Sequence, residues 1–299
     1  MRLLIAGWHG QLATALLDLA PGDPDVKALA AGRPALDLCE PASITRAMTD
    51  FGPDIVINAA AYTAVDKAET DQQAAFALNR DGPGLLAEAA ARRGAAIIHV
   101  STDYVFDGRK PTSYVEDDPT GPLSVYGKSK LAGEQAVQAA NPRHAIVRTA
   151  WVHSAGGNNF VKTMLRLAGE RDHLRVVDDQ IGSPTYAPHL AAAMLALARR
   201  IVAADATSPA WGIYHAAGSG EVTWCGLARE IFRVSSALGG PSAEVEAITT
   251  ADYPTPAPRP ANSRLDCGKL ATMHGIHMPP WQDGVAEGVR LLLSKNNDQ

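Results

Sequence analysis

Short, continuously apolar runs alternate with longer alanine-rich stretches along the first half of the chain. Leu3-Leu4-Ile5-Ala6, Asp54-Ile55-Val56-Ile57-Asn58, Ala96-Ile97-Ile98-His99-Val100 and Ala145-Ile146-Val147-Arg148 have the length and branching of buried strands. Between them, residues 11–20, 43–51, 72–93 and 128–140 are rich in helix formers. Strands that are apolar without alternation are covered on both faces, and their alternation with helices makes them parallel. The pattern therefore predicts an α/β fold with a doubly wound parallel sheet. After residue 150 the rhythm loosens. Ala155-Gly156-Gly157-Asn158-Asn159 and Gly239-Gly240-Pro241 are loop chemistry, and the prolines at 254, 256, 258 and 260 exclude helix or central strand over 253–260. Residues 1–150 are expected to form the parallel unit and 151–299 mainly a smaller C-terminal lobe, with some later segments returning to the sheet. The last five residues are expected to fray.

Composition narrows the function classes. The chain has 299 residues, 46% hydrophobic and 20% charged, which excludes a disordered chain or a disulfide-stapled miniprotein. A net charge of -5 argues against a dedicated nucleic-acid binder. Cys39, Cys225 and Cys267 form no CxxC pair; each is expected to be reduced and buried, in a cytoplasmic protein. No apolar run has the length of a membrane span, so no membrane partner is expected.

Three segments carry chemistry. Gly7-Trp8-His9-Gly10-Gln11-Leu12-Ala13 follows the first strand directly. A strand entering a glycine turn and then a helix presents backbone N–H groups to a pyrophosphate. Tyr126 and Lys130 stand four apart in Tyr126-Gly127-Lys128-Ser129-Lys130, on one face of a predicted helix. An ammonium beside the phenol would lower its pKa and suit it to acid–base work. Ser101-Thr102-Asp103-Tyr104 ends a strand, where ligands of parallel sheets bind.

Together these segments resemble the extended short-chain dehydrogenase/reductase superfamily, with its Rossmann-like dinucleotide fold. Longer strings are similar to the dTDP-4-dehydrorhamnose reductases: Asn58 to Glu69, Ser101 to Gly108, Arg148 to Val152 with Gly157 to Phe160, Asp179 to Thr185, and Tyr214-His215 followed by Thr223-Trp224. The resemblance spans nearly the whole chain. It implies NADPH- or NADH-dependent reduction of a dTDP-sugar, dTDP-4-dehydro-L-rhamnose, at C4. Thr102, Tyr126 and Lys130 would be the catalytic residues. Cofactor contacts would fall on Gly7, Gly10, Gln11, Leu12, Asp37, Leu38, Ala59, Ala60, Ala61, Ser101, Tyr126 and Lys130. Thr63, Val65, Asp103, Tyr104 and Trp151 would line the sugar pocket.

Other readings come from the residues themselves. Arg33 follows the second predicted strand where an acidic residue would mark NAD, so NADPH is expected to serve at least as well as NADH. Arg259, between two prolines, is the candidate for the substrate diphosphate, with Asn158 and Asn159 as amide donors at a helix start. Some members of the family are metal-linked dimers that use a glutamate in the first helix. This chain has Ala15 there, and no metal is expected; a monomer or homodimer is. The alternatives are a nucleotide-sugar epimerase or another 4-keto reductase, and a regulatory subunit resembling methionine adenosyltransferase β.

Overall fold

The computed structural model describes residues 1–297, with side chains through Ser294. From the N-terminus the chain runs β1 (Arg2–Ala6), α1 (Gln11–Leu19), β2 (Lys27–Ala31), α2 (Pro41–Phe51), β3 (Ile55–Asn58), the short helices α3 (Val65–Ala68) and α4 (Gln72–Phe76), and α5 (Gly82–Arg92). It continues through β4 (Ala96–Thr102), α6 (Val125–Ala140) and β5 (His144–Thr149). The second half adds β6 (Val152–His153), α7 (Phe160–Ala168), β7 (His173–Val177), β8 (Ile181–Gly182), β9 (Thr185–Tyr186), α8 (Ala187–Ile201) and β10 (Gly212–His215). Then come β11 (Val222–Thr223), α9 (Trp224–Ala237), β12 (Glu244–Ile248), β13 (Asn262–Ser263), α10 (Gly268–His274) and α11 (Trp281–Asn297).

Six strands form one parallel sheet in the order β2-β1-β3-β4-β5-β10. Successive side chains of a strand face opposite sides, and both sides here are covered. Leu3 and Ile5 of β1 pack with Leu16 of α1 and Leu190 and Met194 of α8. Leu4 and Ala6 pack with Ile44 and Met48 of α2 and Leu86 of α5. This is the doubly wound sheet that the apolar runs predict. Its sixth strand, β10, and the helix α8 come from the second half of the chain. The remaining C-terminal elements gather Val161, Leu174, Ile231, Val285 and Val289 of α7, β7, α9 and α11 into a core of their own.

Local differences have local causes. The single helix expected over 72–93 is interrupted by a wide π-type turn at Ala77–Asp81. Pro83 has no N–H to return to the Asn79 carbonyl, so the regular ladder cannot close there. Gly133 of α6 fills the space against that carbonyl, where an added Cβ would lie 1.9 Å from the Asn79 oxygen. The helix α6 starts at Val125 because Ser124 accepts the Gly127 N–H at 3.1 Å. Cys39 corrects an expectation: it is exposed, Cys225 is buried and Cys267 lies between. Asp37 Oδ1 accepts the Cys39 N–H at 2.9 Å, and this turn keeps Cys39 on the surface beside Asp37 rather than in the core. The helix α11 continues through Asn297, beyond the point where fraying is expected, and the rest of that expectation, at 298–299, lies outside the described residues. Among the described residues no helix is long and apolar enough to cross a membrane.

Candidate active site

The chain passes from β1 outward to β2, then back across to β3, so the direction of winding reverses between β1 and β3. A crevice must open beyond the carboxyl ends of those two strands. It holds a cavity of about 1080 Å³. Gly7 adopts φ +110°, a region strained for any side chain, and an added Cβ would lie 3.4 Å from the Ala60 nitrogen. A Cβ on Gly10 would project into open space. No side chain caps the N-terminus of α1, which leaves its first N–H groups for an anion. Two glycines, free helix N–H groups and a cavity of this size fit a dinucleotide.

Gly7, Gly10, Arg33, Asp37, Leu38, Ala59, Ala60 and Ala61 all line this cavity, and so does Thr63, expected on the sugar side. Gln11, Leu12, Ser101, Tyr126 and Lys130 do not. Leu12 packs under the sheet, and Gln11 reaches into the C-terminal half of the chain. The Gln11 amide donates to the Val152 carbonyl at 3.3 Å, and its oxygen accepts from Ser154 Oγ and Asn159 Nδ2, each at 2.9 Å. What α1 offers an anion at these two positions is therefore backbone N–H. Trp8 and His9, read from sequence only as spacers between glycines, also line the cavity, with ring centroids 4.3 Å apart.

Thr102 ends β4, opposite Thr149 of β5. Its hydroxyl donates to Asp103 Oδ1 at 2.9 Å and accepts the Tyr104 N–H at 3.2 Å. Asp103 is buried with Oδ2 unpartnered, and burial pushes its pKa up to about 6. The cap at Ser124 sets Tyr126 in the first turn of α6, edge-on to Tyr104 with ring centroids 5.5 Å apart. Lys130, one turn on, donates to the Val100 carbonyl at 2.6 Å.

The electrostatics of this pair correct the sequence reading. Tyr126 is not lowered by a facing ammonium: burial pushes it up to about 12, with the Thr102 hydroxyl opposing the rise and Asp103 adding to it. Lys130 is itself pulled down to about 8 by burial, against the charge of Glu134. Helical spacing places both side chains on one face, but the lysine head is drawn to the β4 carbonyl rather than to the phenol.

Ser101 also departs from its expected role. It is buried, and its hydroxyl donates to Glu134 Oε1 at 2.5 Å instead of facing the cavity. Glu134 takes both Arg148 Nε, at 2.9 Å, and Arg148 Nη2, at 2.7 Å. The signal for this buried pair is the single charged residue within an apolar strand, Arg148 in β5; Glu134 lies on α6 and carries no such signal. His99 in β4 is the same kind of signal.

Beyond the end of β5, Trp151 stands two residues past Thr149 with φ 48°. It lies flat on Trp224, ring centroids 3.5 Å apart. Arg259 is far from a surface ornament: its Nη2 donates to Asp66 Oδ2 at 2.8 Å, and both charges act on Tyr104. Val65 begins α3, next to Asp66, and is half-buried. Asn159 has spent its side chain. Its amide donates to Gln11 and to the Ser154 and Gly156 carbonyls, and its oxygen caps α7 at the Lys162 N–H. Asn158 is exposed.

Comparison with known proteins agrees with this architecture from end to end. The chain is 50% identical over 298 residues to a dTDP-4-dehydrorhamnose reductase of Sinorhizobium fredii, covering 100% of both chains. A solved dTDP-4-dehydrorhamnose reductase from Clostridium acetobutylicum superposes with a TM-score of 0.91 at 37% identity, over 98% of this chain and 100% of that one. A second, from Bacillus anthracis in complex with NADP, gives 0.87 at 34% identity over 97% and 99%. The model of the RmlD substrate binding domain matches residues 1–293, and the chain belongs to that family.

Proposed function

We propose that the chain is an NAD(P)H-dependent oxidoreductase that reduces the C4 keto group of dTDP-4-dehydro-L-rhamnose to give dTDP-L-rhamnose. The observation that carries this reading is that Thr102, at the end of β4, and Tyr126, in the first turn of α6, both flank Tyr104 at the carboxyl edge of the sheet whose switch point holds the dinucleotide-sized cavity. Relatives bearing the reductase name over the full length of the chain support it.

When bound, the reduced nicotinamide supplies a hydride to C4. Thr102 and Tyr126 hold the carbonyl oxygen, and Thr102 must release Asp103 to do so. Negative charge grows on that oxygen, and Tyr126 transfers its proton to it. The raised pKa of Tyr126 keeps that proton on the phenol throughout the neutral range. Lys130 holds the cofactor's ribose. Gly7, Gly10, Arg33, Asp37, Leu38 and Ala59 to Ala61 hold the rest of the dinucleotide. Thr63, Val65, Asp103, Tyr104 and Trp151 wall the sugar, and Arg259 meets the diphosphate. In this reading residues 1–150 serve mainly the cofactor and 151–299 mainly the substrate. The protein acts in the cytoplasm as a monomer or homodimer.

The test is NADPH oxidation, followed by absorbance, with dTDP-4-dehydro-L-rhamnose generated in situ. Turnover is expected. No turnover by a protein that binds NADPH removes the reading, and oxidised NAD retained through purification favours an epimerase.

A further inference from the structure

Behind the catalytic helix, three buried polar groups stand in line, and two of them have no part in the chemistry above. Asn58 ends β3 and His99 sits opposite it in β4, both fully buried. Asn58 Nδ2 lies 3.1 Å from His99 Nδ1, and His99 Nε2 lies 3.4 Å from Lys130 Nζ.

The donors and acceptors along this line can be assigned. Asn58 Oδ1 accepts the Ala60 N–H at 3.2 Å, so the amide cannot turn over and its NH2 group faces His99. That NH2 needs a lone pair on Nδ1, which leaves the single proton of the neutral ring on Nε2. Burial and the charge of Lys130 both hold the ring neutral. An N–H edge thus faces an ammonium. Two donors cannot bond, and 3.4 Å is longer than the usual ~2.7–2.9 Å of a charge-assisted bond. Lys130 turns to the Val100 carbonyl at 2.6 Å instead. Glu134, the carboxylate one turn on, is committed to Arg148 and Ser101.

We propose that Asn58 and His99 are positioning residues for Lys130. Asn58 fixes the ring tautomer, and the Nε2–H edge denies the ammonium any acceptor on the β4 side except Val100, which keeps its other protons for the cofactor. The proposal rests on the functional reading above, in which Lys130 holds the cofactor's ribose. It also ties Lys130 to the cofactor cavity, because Ala60 lines that cavity.

Nitrogen-15 NMR of histidine-labelled protein, without ligand, reads the tautomer directly. His99 is expected to carry its proton on Nε2, and to move it to Nδ1 in Asn58→Asp, whose carboxylate can only accept. His99→Gln can accept from Asn58 and still present an NH2 group to Lys130, so its NADPH affinity and kcat should stay within about threefold of wild type. In Asn58→Asp the freed Nε2 lone pair accepts from Lys130 and draws it from the cofactor, so NADPH should bind about tenfold more weakly and kcat should fall. A proton on Nδ1 in the wild type, or wild-type NADPH binding by Asn58→Asp with its ring proton on Nδ1, overturns the positioning role; if Asn58→Asp does not fold, the wild-type tautomer decides. A wild type that binds no NADPH overturns the proposed function and the positioning role together, whereas the wrong tautomer overturns the positioning role alone.

Discussion

Arg259 and Asp66 meet at 2.8 Å across 193 residues of chain, joining the proline-rich segment to the helix that follows β3. Asp66 also accepts the Ala257 N–H, at 3.1 Å. Burial pushes the Asp66 carboxyl up, but the hydrogen bonds from Arg259 and Ala257 and the guanidinium charge hold it below the usual carboxylate range. The Arg259 side chain is 19% exposed, its guanidinium held on Asp66.

Arg259→Ala should raise KM for the nucleotide sugar about tenfold with little change in kcat, the pattern of lost uniform binding. Steady-state kinetics against sugar concentration check this. A wild-type KM would place the diphosphate elsewhere.

Tyr126→Phe should leave NADPH affinity near normal and lower turnover by roughly 10²-fold or more, the scale of one general acid. Burial raises the Tyr126 pKa to about 12, so the group acts as a proton donor and no loss of phenol is expected across neutral pH. Equal turnover in the two proteins would remove Tyr126 from the chemistry.

Arg33 lines the cavity with its side chain exposed and no acidic residue immediately before it. Arg33→Ala should weaken NADPH about tenfold and leave NADH almost unchanged, because only NADPH carries the extra phosphate. Isothermal titration with both cofactors decides it. Equal losses for both would count against a phosphate contact.

Trp151 holds a left-handed backbone, which costs about 1–3 kcal/mol for a residue with a side chain. Its ring is pinned between Trp224 and Gly182, where an added Cβ would come within 2.5 Å of the indole. Gly182→Ala should therefore displace Trp151 and raise KM for the sugar while NADPH binding stays normal. Titrations of both ligands separate the two effects.

Buried histidines should make the protein acid-sensitive. Burial and His189 lower His153 to about 4, and burial and Arg148 lower His215 to about 3. Between about pH 6.5 and these values the unfolded chain binds more protons than the native one. Their contribution is complete above about pH 6.5 and is lost as pH falls toward 4. Asp103 works the other way: its raised pKa is a cost present above about pH 6 that is relieved toward 4. Two strongly shifted rings against one carboxyl give a net fall in melting temperature from about pH 6.5 to 4. His153→Gln should flatten that fall in a thermal series, and an unchanged slope would show that His153 is protonated in the native state.

Some of this protein is local, and a sequence can state it. The glycine turn of Gly7 and Gly10, the one-turn spacing of Tyr126 and Lys130, and the apolar strands that make a parallel sheet depend on neighbours a few residues away, where backbone geometry allows few choices. What depends on distant neighbours waited for the tertiary structure. Gln11 had cofactor-turn spacing, yet its side chain is claimed by Ser154 and Asn159, more than 140 residues later. Ser101 had a strand-end position, yet its hydroxyl is turned inward by Glu134. The sign of the Tyr126 shift followed from burial, which no spacing reveals, and the direction of Lys130 from a β4 carbonyl and a histidine edge. Periodicity tells which face of an element a residue occupies. Which groups meet it there is decided only when the elements pack, because desolvation and hydrogen bonding act through space over a few ångströms.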